Sequence, residues 1–258
     1  MPRAKRHYIA DPKYAWHLTH RCHKKEFLLR FKKDKRAWLE WLFRAKKAFH
    51  LPILDYVITS NHIHLLVMGG SHSAIAKTMH LVAGQTAQQF NRRKERCGAF
   101  WQDRYHATAV DSGSYLRRCL IYIDLNMVRA GVVRHPSDWP FGGYAELMCR
   151  KRRWRLIDEE ILRGLLGIAS PDRHRKLRQA WVEAELKRER LRRQPIWTES
   201  VAVGSKTFAE KIKAQLGAKG IGRKVEEDGD EESAFCLRES LDVFEVKKSA
   251  VRPQNCRF

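Results

Sequence analysis

Two histidines separated by a single apolar residue could form a metal site in this chain. His62 and His64 flank Ile63 within residues 61–67, a mostly apolar segment that is typical of a buried β-strand. Because alternate side chains of a strand share a face, the two imidazoles lie side by side while Ile63 points away. Paired imidazoles on a rigid strand are candidate metal ligands, although strand packing or chance accounts for many such pairs.

A tyrosine and an asparagine stand one helical turn apart later in the chain. Tyr122 and Asn126 are four residues apart in a segment that predicts a helix, so they lie on the same helix face. The apolar residues at positions 121, 125 and 128 are expected to anchor that helix to a sheet. We therefore expect the phenol and the carboxamide to approach a metal held by His62 and His64, with Asn126 binding through its carbonyl oxygen.

This set of side chains suits the cleavage of a phosphodiester, with Tyr122 as the nucleophile. A divalent ion bound by two imidazoles and one amide oxygen keeps open positions for phosphate oxygens and offsets the charge of the transition state. A phenol has an ordinary pKa near ~10, and nearby cationic charge favours its phenolate. The product would be a covalent phosphotyrosine, which conserves the energy of the broken bond and permits rejoining.

Each of these residues also has an ordinary structural interpretation. Tyr122 could be a core aromatic residue with its hydroxyl at the surface, and Asn126 could cap a helix. Tyr115 lies two turns before Tyr122 on nearly the same face and is a rival nucleophile. Five further histidines are candidate ligands: His17, His20, His23, His80 and His106.

The hydrophobic periodicity predicts alternating elements over the first 145 residues. Strands are expected at 14–19, 52–59, 62–68 and 100–110, and helices at 34–49, 73–92 and from 112 or 114 to 129. Asp34 is the expected N-cap of the first helix, and Gly131 is expected to end the last one. The order strand, helix, strand, strand, helix, strand, helix predicts an α+β fold: a ferredoxin-like antiparallel sheet with helices packed on one face.

The remaining residues differ in composition from the first 145. Basic runs at 150–155 and 187–193 predict a mainly helical, basic extension over 146–222. A single such run is typical of a solvated helix face, but two runs in so basic a chain favour a surface that contacts phosphates, so we expect this extension to bind DNA. An acidic patch at 226–232 predicts a linker and a disordered tail over 223–258.

The charge balance indicates the class of partner. The 258 residues include 51 Lys and Arg against 29 Asp and Glu, a formal net charge of +22, which favours a polyanion such as nucleic acid. The apolar runs are too short to span a bilayer, and no secretory signal is evident, so we expect no membrane partner. Six scattered cysteines are typical of reduced thiols in a cytoplasmic protein.

Several sequence blocks resemble one known family. The tripeptide His62-Ile63-His64 fits the His-hydrophobic-His motif of the HUH endonuclease superfamily, and its surroundings are similar to the REP-associated single-tyrosine transposases of the IS200-like group. The similarity covers roughly residues 5 to 145, over these blocks in order: 61–66 (NHIHLL), 100–106 (FWQDRYH), 115–117 (YLR), 122–133 (YIDLNMVRAGVV) and Trp139-Pro140. This chain has Asn126-Met127-Val128 where members of the family commonly carry Asn-Pro-Val.

The resemblance implies a transposase catalytic domain over residues 1–145 that cleaves single-stranded DNA next to hairpins. It implies Tyr122 as the nucleophile, with His62, His64 and Asn126 holding Mg²⁺ or Mn²⁺. Cleavage would leave the 5′ phosphate on the tyrosine and a free 3′ hydroxyl. We expect a monomer or homodimer associated with the nucleoid in the cytoplasm.

Two other functions fit the same residues. One is a hairpin DNA or RNA binding protein without catalysis, because a basic surface with aromatic residues suffices for binding. The other is a metal-dependent phosphodiesterase that uses water and forms no covalent intermediate.

Overall fold

The fold combines one open sheet with helices on both of its faces. The structure, a computed structural model, describes residues 13–69, 73–149, 154–188, 191–229 and 234–239. Its strands are β1 (Ala15–Arg21), β2 (Ile53–Ile58), β3 (His62–Met68), β4 (His106–Val110), β5 (Ala202–Gly204), β6 (Arg223–Asp228) and β7 (Ala234–Glu239). Its α-helices are α1 (Lys32–Phe49), α2 (Ala74–Arg93), α3 (Ser114–Asp124), α4 (Asn126–Arg129), α5 (Gly143–Met148), α6 (Glu159–Leu166), α7 (Pro171–Lys187), α8 (Ile196–Glu199) and α9 (Lys206–Gln215).

The strands form one sheet in the order β2-β3-β1-β4-β5-β7-β6. Neighbouring strands are antiparallel except for β4 and β5, which are parallel. The predicted α+β fold class, an antiparallel sheet of ferredoxin-like element order, is confirmed. None of the described helices is both long and apolar enough to cross a membrane.

One face of the sheet is covered by α1 and α2. Ile63, Leu65 and Val67 of β3 and Trp16 and Leu18 of β1 are buried in the larger hydrophobic cluster. The apolar positions of α1 and α2 recur at helical spacing and complete this cluster, with Trp38, Leu39, Leu42, Met79 and Val82 buried among them. This layer of helices matches the expectation from the periodicity.

The opposite face is covered as well, which differs from the expectation of helices on one face. Ala15, Leu66 and Val110 project to this side and pack in a second cluster with residues of α3 and α8. The physical reason is that the central strands are apolar at consecutive positions: all six residues of β2 and Ile63–Val67 of β3 are buried. A strand that is apolar on both faces needs a layer on each side.

The C-terminal third adds strands as well as helices. The extension at 146–222 contains helices α6 to α9, but it also places β5 beside β4. The expectation of an acidic linker is wrong for 223–228 and 234–239, which form the hairpin strands β6 and β7. Ala234, Cys236 and Leu237 of β7 are buried, whereas β6 is an edge strand whose charged side chains are mostly exposed. Residues 230–233 and 240–258 lie outside the described residues.

Those residues of the basic runs that the structure describes lie largely outside helices. Lys187 ends α7 and Arg188 follows it as the C-cap residue, while 191–194 form a loop. Trp154 and Arg155 are also in a loop, and residues 150–153 and 189–190 lie outside the described residues.

Three predicted boundaries differ from the structure. Helix α1 begins at Lys32 after Phe31, so Asp34 is not its N-cap; Asp34 is buried in the first turn and pairs with Arg93 at the end of α2. Strand β4 covers only His106–Val110 of the predicted 100–110. Before it, Trp101 forms only an isolated antiparallel bridge to Cys22, and the Phe100 ring packs against Phe90 of α2. The last predicted helix is interrupted at Leu125 into α3 and α4.

A buried ion cluster attaches α7 to the first domain. Arg178 of α7 is 1% exposed and donates its Nε to Asp124 of α3 at 2.6 Å. Its Nη2 pairs with Asp55 of β2, which is fully buried. The extension therefore contributes a charged side chain to the core of the preceding domain.

Candidate active site

The sheet register places both histidines of the His-Ile-His motif on the face that carries α3. Strand β3 pairs with β1 so that His64 lies opposite Thr19 and Leu66 opposite His17. The rings of His62 and His64 have centroids 5.0 Å apart, and Ile63 projects to the α1–α2 side, where it is fully buried. The predicted side-by-side placement of the two imidazoles is what the strand geometry produces.

A chain of hydrogen bonds determines the tautomer of His64. His17 Nδ1 lies 2.9 Å from the backbone carbonyl of Trp197, which can only accept, so His17 carries its proton on Nδ1. His17 Nε2 is then an acceptor for the Nδ1–H of His64, at 2.9 Å. His64 is therefore left with a lone pair on Nε2.

His62 reaches the same state through different partners. Asn61 donates its Nδ2 to the carbonyl of Lys25 at 3.2 Å, so its Oδ1 faces His62. His62 Nδ1 lies 2.7 Å from that oxygen and therefore carries the proton. Both histidines of the motif thus have an Nδ1–H and an unprotonated Nε2, the tautomer of a ligand that binds metal through Nε2.

Burial keeps these imidazoles neutral. It lowers the pKa of His17 to about 3 and that of His62 to about 4. The pKa of His64 is also well below its ordinary value, first because of burial and second because of the charge that neighbouring His62 would carry. Neutral imidazoles near pH 7 bind a cation without having to release a proton.

Asn126 and Tyr122 both reach this histidine cluster. The side-chain amide of Asn126 lies 3.0 Å from His64 Nε2 through its Nδ2, and the ring centroid of Tyr122 is 5.7 Å from that of His64. The break at Leu125 lets Asn126 begin the short helix α4 just after Tyr122 on α3. The structure thus brings together all four residues of the predicted site.

Tyr122 is enclosed by the protein. It is 6% exposed, and the guanidinium of Arg129 lies 4.1 Å from the centroid of its ring while donating to the Tyr122 carbonyl at 2.5 Å. Burial raises the pKa of the Tyr122 phenol, and the charge of Arg129 only partly offsets this. The expected nearby cation is therefore present and lowers the pKa of the phenol, but less than burial raises it. The protein by itself leaves the phenol protonated at neutral pH.

Sequence reasoning gave little weight to three contributors to the site. His17 was only one of five additional histidine candidates, and Arg129 and Trp197 were not singled out. The alternation along β1, which puts His17 on the Ala15 face, was the available signal for His17. No local pattern predicts the Trp197 carbonyl, because it comes from the extension 180 residues away.

The other candidates lie outside this four-residue cluster, although His20 and His106 line the cavity next to His62 and His64. His20 stacks on Trp101 with ring centroids 4.1 Å apart, and His106 Nε2 lies 2.9 Å from the Ser200 carbonyl. His80 is exposed on α2, and His23 is in a short 3-10 turn after β1. Tyr115, the rival nucleophile, packs partly buried against the second hydrophobic cluster.

A basic cavity opens beside the histidine pair. It has a volume of about 270 Å³, and His62 and His64 form part of its wall. Arg21, Arg104 and Arg193 also line it, together with the acids Asp103 and Glu199. The wall therefore combines candidate metal ligands with guanidinium groups that can bind phosphate.

The donor set fits a divalent cation in its chemistry. No group of three or more His, Cys, Asp or Glu side chains suited to a metal occurs among the described residues, so the candidate set is two histidines and one amide. The Nε2 lone pairs of His62 and His64 supply two donors, and rotation of the Asn126 amide by 180° would present Oδ1 in place of Nδ2. Two imidazoles and an amide oxygen leave further coordination positions open.

The sequence of this region matches a known family. The model of the "Transposase IS200 like" family matches residues 11–126, which include His17, His62, His64, Tyr122 and Asn126. The match spans somewhat less than half of the 258 residues and shows that this region is similar to IS200-like transposases. The resemblance indicated by the sequence blocks is confirmed.

Two solved structures are similar to this chain. One, described as the structure of the REP-associated tyrosine transposase bound to a REP hairpin, is 21% identical, with a TM-score of 0.46 over 58% of this chain and 87% of that chain. The other, a candidate transposase from Deinococcus radiodurans R1, is 15% identical, with a TM-score of 0.33 over 42% of this chain and 87% of that chain. No curated protein matches the sequence of this chain.

Proposed function

We propose that this protein is a metal-dependent endonuclease and transposase that cleaves single-stranded DNA next to hairpins through a covalent 5′-phosphotyrosine. The observation that carries the proposal is the clustering of a tyrosine, an amide and two neutral imidazoles around His64. His64 Nε2 is 3.0 Å from Asn126, and the His64 ring is next to those of Tyr122 and His62. The similarity of residues 11–126 to a transposase family supports the reaction class.

His62, His64 and Asn126 are the proposed ligands of Mg²⁺ or Mn²⁺. Such an ion would supply positive charge to the phosphate oxygens and to the phenolate as they react. Asn61 and His17 hold the two imidazoles in the tautomer that leaves Nε2 available. These two residues are therefore positioning residues for the ligands rather than ligands themselves.

Tyr122 is the proposed nucleophile. Its phenol loses a proton, and its oxygen forms a bond to phosphorus while the bond from phosphorus to the 3′ oxygen breaks. The leaving 3′ oxygen takes up a proton and becomes a free hydroxyl, and the 5′ phosphate stays on Tyr122. The reverse attack by a 3′ hydroxyl releases the tyrosine and rejoins a strand without an external energy source.

Arg129 is the proposed counter-charge for Tyr122. Its guanidinium lies over the phenol ring and offsets part of the pKa increase caused by burial. The arginines of the cavity beside the histidines, Arg21, Arg104 and Arg193, are positioned to hold the DNA backbone. The net charge of +22 supports a polyanionic substrate.

One observation favours a second candidate function. Tyr122 is 6% exposed and its pKa is raised, which suits a core tyrosine in a hairpin DNA or RNA binding protein without catalysis. The two functions differ in whether a covalent adduct forms.

The test is an assay for a protein–DNA adduct. The full chain is incubated with Mn²⁺ and DNA hairpins that bear single-stranded flanks and a label at the 3′ end, which stays with the 5′-phosphotyrosine, and the products are separated in SDS. We expect a labelled adduct with wild type and with the control variant Tyr115→Phe, and none with Tyr122→Phe or with EDTA. His64→Ala is expected to lose the adduct while still binding the hairpin.

Two outcomes oppose the proposal. Absence of an adduct with wild type across a panel of hairpins, with binding intact, would favour the non-catalytic function. Cleavage that survives Tyr122→Phe would favour attack by water.

A further inference from the structure

A second groove lies between α3 and α7, on the other side of Tyr122 from the histidines. Its volume is about 270 Å³, and Tyr122 and Arg129 contribute to its wall. Five arginines line this arginine groove against one acid, Glu185: Arg117, Arg118, Arg129, Arg188 and Arg192. Such an excess of guanidinium groups is suited to a polyanion.

The arginine groove also contains an aromatic platform. Trp181 of α7 is half-buried in its wall, and the guanidinium carbon of Arg117 from α3 lies 5.8 Å from the centroid of the Trp181 ring. Indole rings and guanidinium planes are the groups on which unpaired bases stack. A groove that offers both phosphate-binding and base-stacking groups is suited to single-stranded nucleic acid rather than to a free anion.

The loop at 191–194 connects the arginine groove to the histidine cavity. Leu191, Arg192 and Gln194 line the arginine groove, while the neighbouring Arg193 lines the cavity of His62 and His64. Tyr122 lies between them, because it lines the groove and its ring is next to that of His64. A single strand that follows this loop would pass Tyr122.

We propose that the arginine groove binds the unpaired DNA flank on one side of the scissile phosphate, with Trp181 and Arg117 stacking on a base and Arg188 and Arg192 contacting phosphates. This inference rests on the proposed function for the identity of the strand. In this proposal, α7 and the following loop bind the substrate strand next to the nucleophile. Both belong to the C-terminal extension.

The experiment compares two DNA probes in EDTA, so that no cleavage occurs. One is a hairpin with a single-stranded flank, and the other is the same hairpin without the flank; affinities are measured by fluorescence anisotropy at one salt concentration. The test variant is Arg117→Glu/Arg188→Glu. The matched control is Arg173→Glu/Lys176→Glu, which makes the same charge change on exposed residues of α7 that do not line the groove.

We expect the test variant to weaken binding of the flanked hairpin by at least about tenfold, the equivalent of one lost base stack. Its affinity for the flush hairpin and its thermal unfolding should match those of the control variant. In a second pair of variants, Trp181→Ala should reduce the ratio of the affinity for the flanked hairpin to that for the flush hairpin. Trp181→Phe should retain most of this ratio.

Three results would overturn the groove assignment. In the first, wild type binds the flanked and the flush hairpin with equal affinity. In the second, the test variant binds the flanked hairpin as tightly as the control variant does. In the third, the test variant loses the same affinity for both hairpins. The adduct assay on wild type separates this inference from the proposed function. An adduct without a flank effect refutes the groove alone, whereas a flank effect without an adduct refutes the cleavage reaction and leaves the groove in place.

Discussion

At the centre of the site, the protonation of one imidazole determines that of the next. The Trp197 carbonyl requires a proton on His17 Nδ1, and His17 Nε2 in turn requires one on His64 Nδ1. The consequence is an unprotonated Nε2 on His64, directed at Asn126. A buried histidine outside the proposed ligand set thus determines the tautomer of a proposed ligand.

The first prediction concerns this positioning role. His17→Leu removes the acceptor for His64 Nδ1–H and should weaken Mn²⁺ binding by roughly 10- to 100-fold, the usual effect of losing such a partner. His17→Gln, whose side-chain oxygen can accept the same hydrogen bond, is the matched control and should keep more of the affinity. Isothermal titration of each variant with Mn²⁺ provides the measurement. Equal affinities for wild type and His17→Leu would exclude the role.

Local periods predict which of the four proposed site residues share a face, whereas their combination into one site came from the resemblance to a known family. His62 and His64 share a face through the two-residue repeat of a strand, and Tyr122 and Asn126 share one through the helical turn. His17 could not be assigned in the same way, because its role depends on the pairing of β1 with β3 and on a carbonyl from the extension. The roles of the four residues in cleavage remain a proposal.

At the scale of elements, α7 is fastened to the first domain through Arg178. This side chain lies between Asp55 of β2 and Asp124 of α3, and the two carboxylates raise the pKa of its guanidinium further above its ordinary value. Asp124 is also two residues after Tyr122. The same ion cluster therefore fixes α7 beside the helix that carries the proposed nucleophile.

The second prediction tests this attachment. Arg178→Met leaves two carboxylates buried without a counter-charge and should lower the free energy of unfolding by about 3–5 kcal/mol. Arg175→Ala, on the same helix, removes only a pair with the exposed Asp172 and should change it by less than ~1 kcal/mol. Urea unfolding followed by circular dichroism measures both variants. Similar stabilities for the two would contradict a structural role of the buried cluster.

A rescue variant separates charge from packing. Asp55→Asn/Asp124→Asn in the Arg178→Met background removes the unpaired charges and should recover part of the lost stability. No recovery would indicate that the loss came from packing alone.

Element predictions succeeded where a helix is amphipathic or a strand is continuously apolar over its full length, and failed where distant contacts decide. Helices α1 and α2 and the β2–β3 hairpin agree with the apolar periodicity within one or two residues. The segment before His106 has the aromatic composition of a strand, but its pairing with the chain after β1 is limited to an isolated bridge between Trp101 and Cys22, and the Trp101 indole donates to the Ala83 carbonyl of α2. Similarly, the acidic residues of β6 resemble a linker in composition, and their pairing with β7 keeps them at an exposed edge.

At the scale of the whole molecule, arginines line two neighbouring cavities. Arg21, Arg104 and Arg193 line the histidine cavity, and arginines of α3, α4, the end of α7 and the following loop line the arginine groove. The charge balance alone predicted a polyanionic partner. It could not predict where on the protein this partner binds, because the two cavities form only when the extension packs against α3.

The third prediction follows from this charge. The affinity for a DNA hairpin should fall steeply with salt, with a slope of log K against log salt of about −0.9 for each phosphate neutralised in the duplex. Anisotropy titrations over a range of salt concentrations measure the slope. A flat response would count against arginine and lysine contacts to phosphate as the source of affinity.

Identification of the residue that becomes linked to DNA tests the central claim most directly. Trypsin cleaves after Arg104, Arg117, Arg118 and Arg129, so Tyr122 lies in the peptide 119–129, whereas Tyr105 and Tyr115 lie together in 105–117. After reaction with a flanked hairpin and Mn²⁺, followed by nuclease and trypsin, we expect mass spectrometry to find the phosphonucleotide on Tyr122. A nucleotide linked to 105–117 or to another residue, with peptide 119–129 unmodified, would contradict the account.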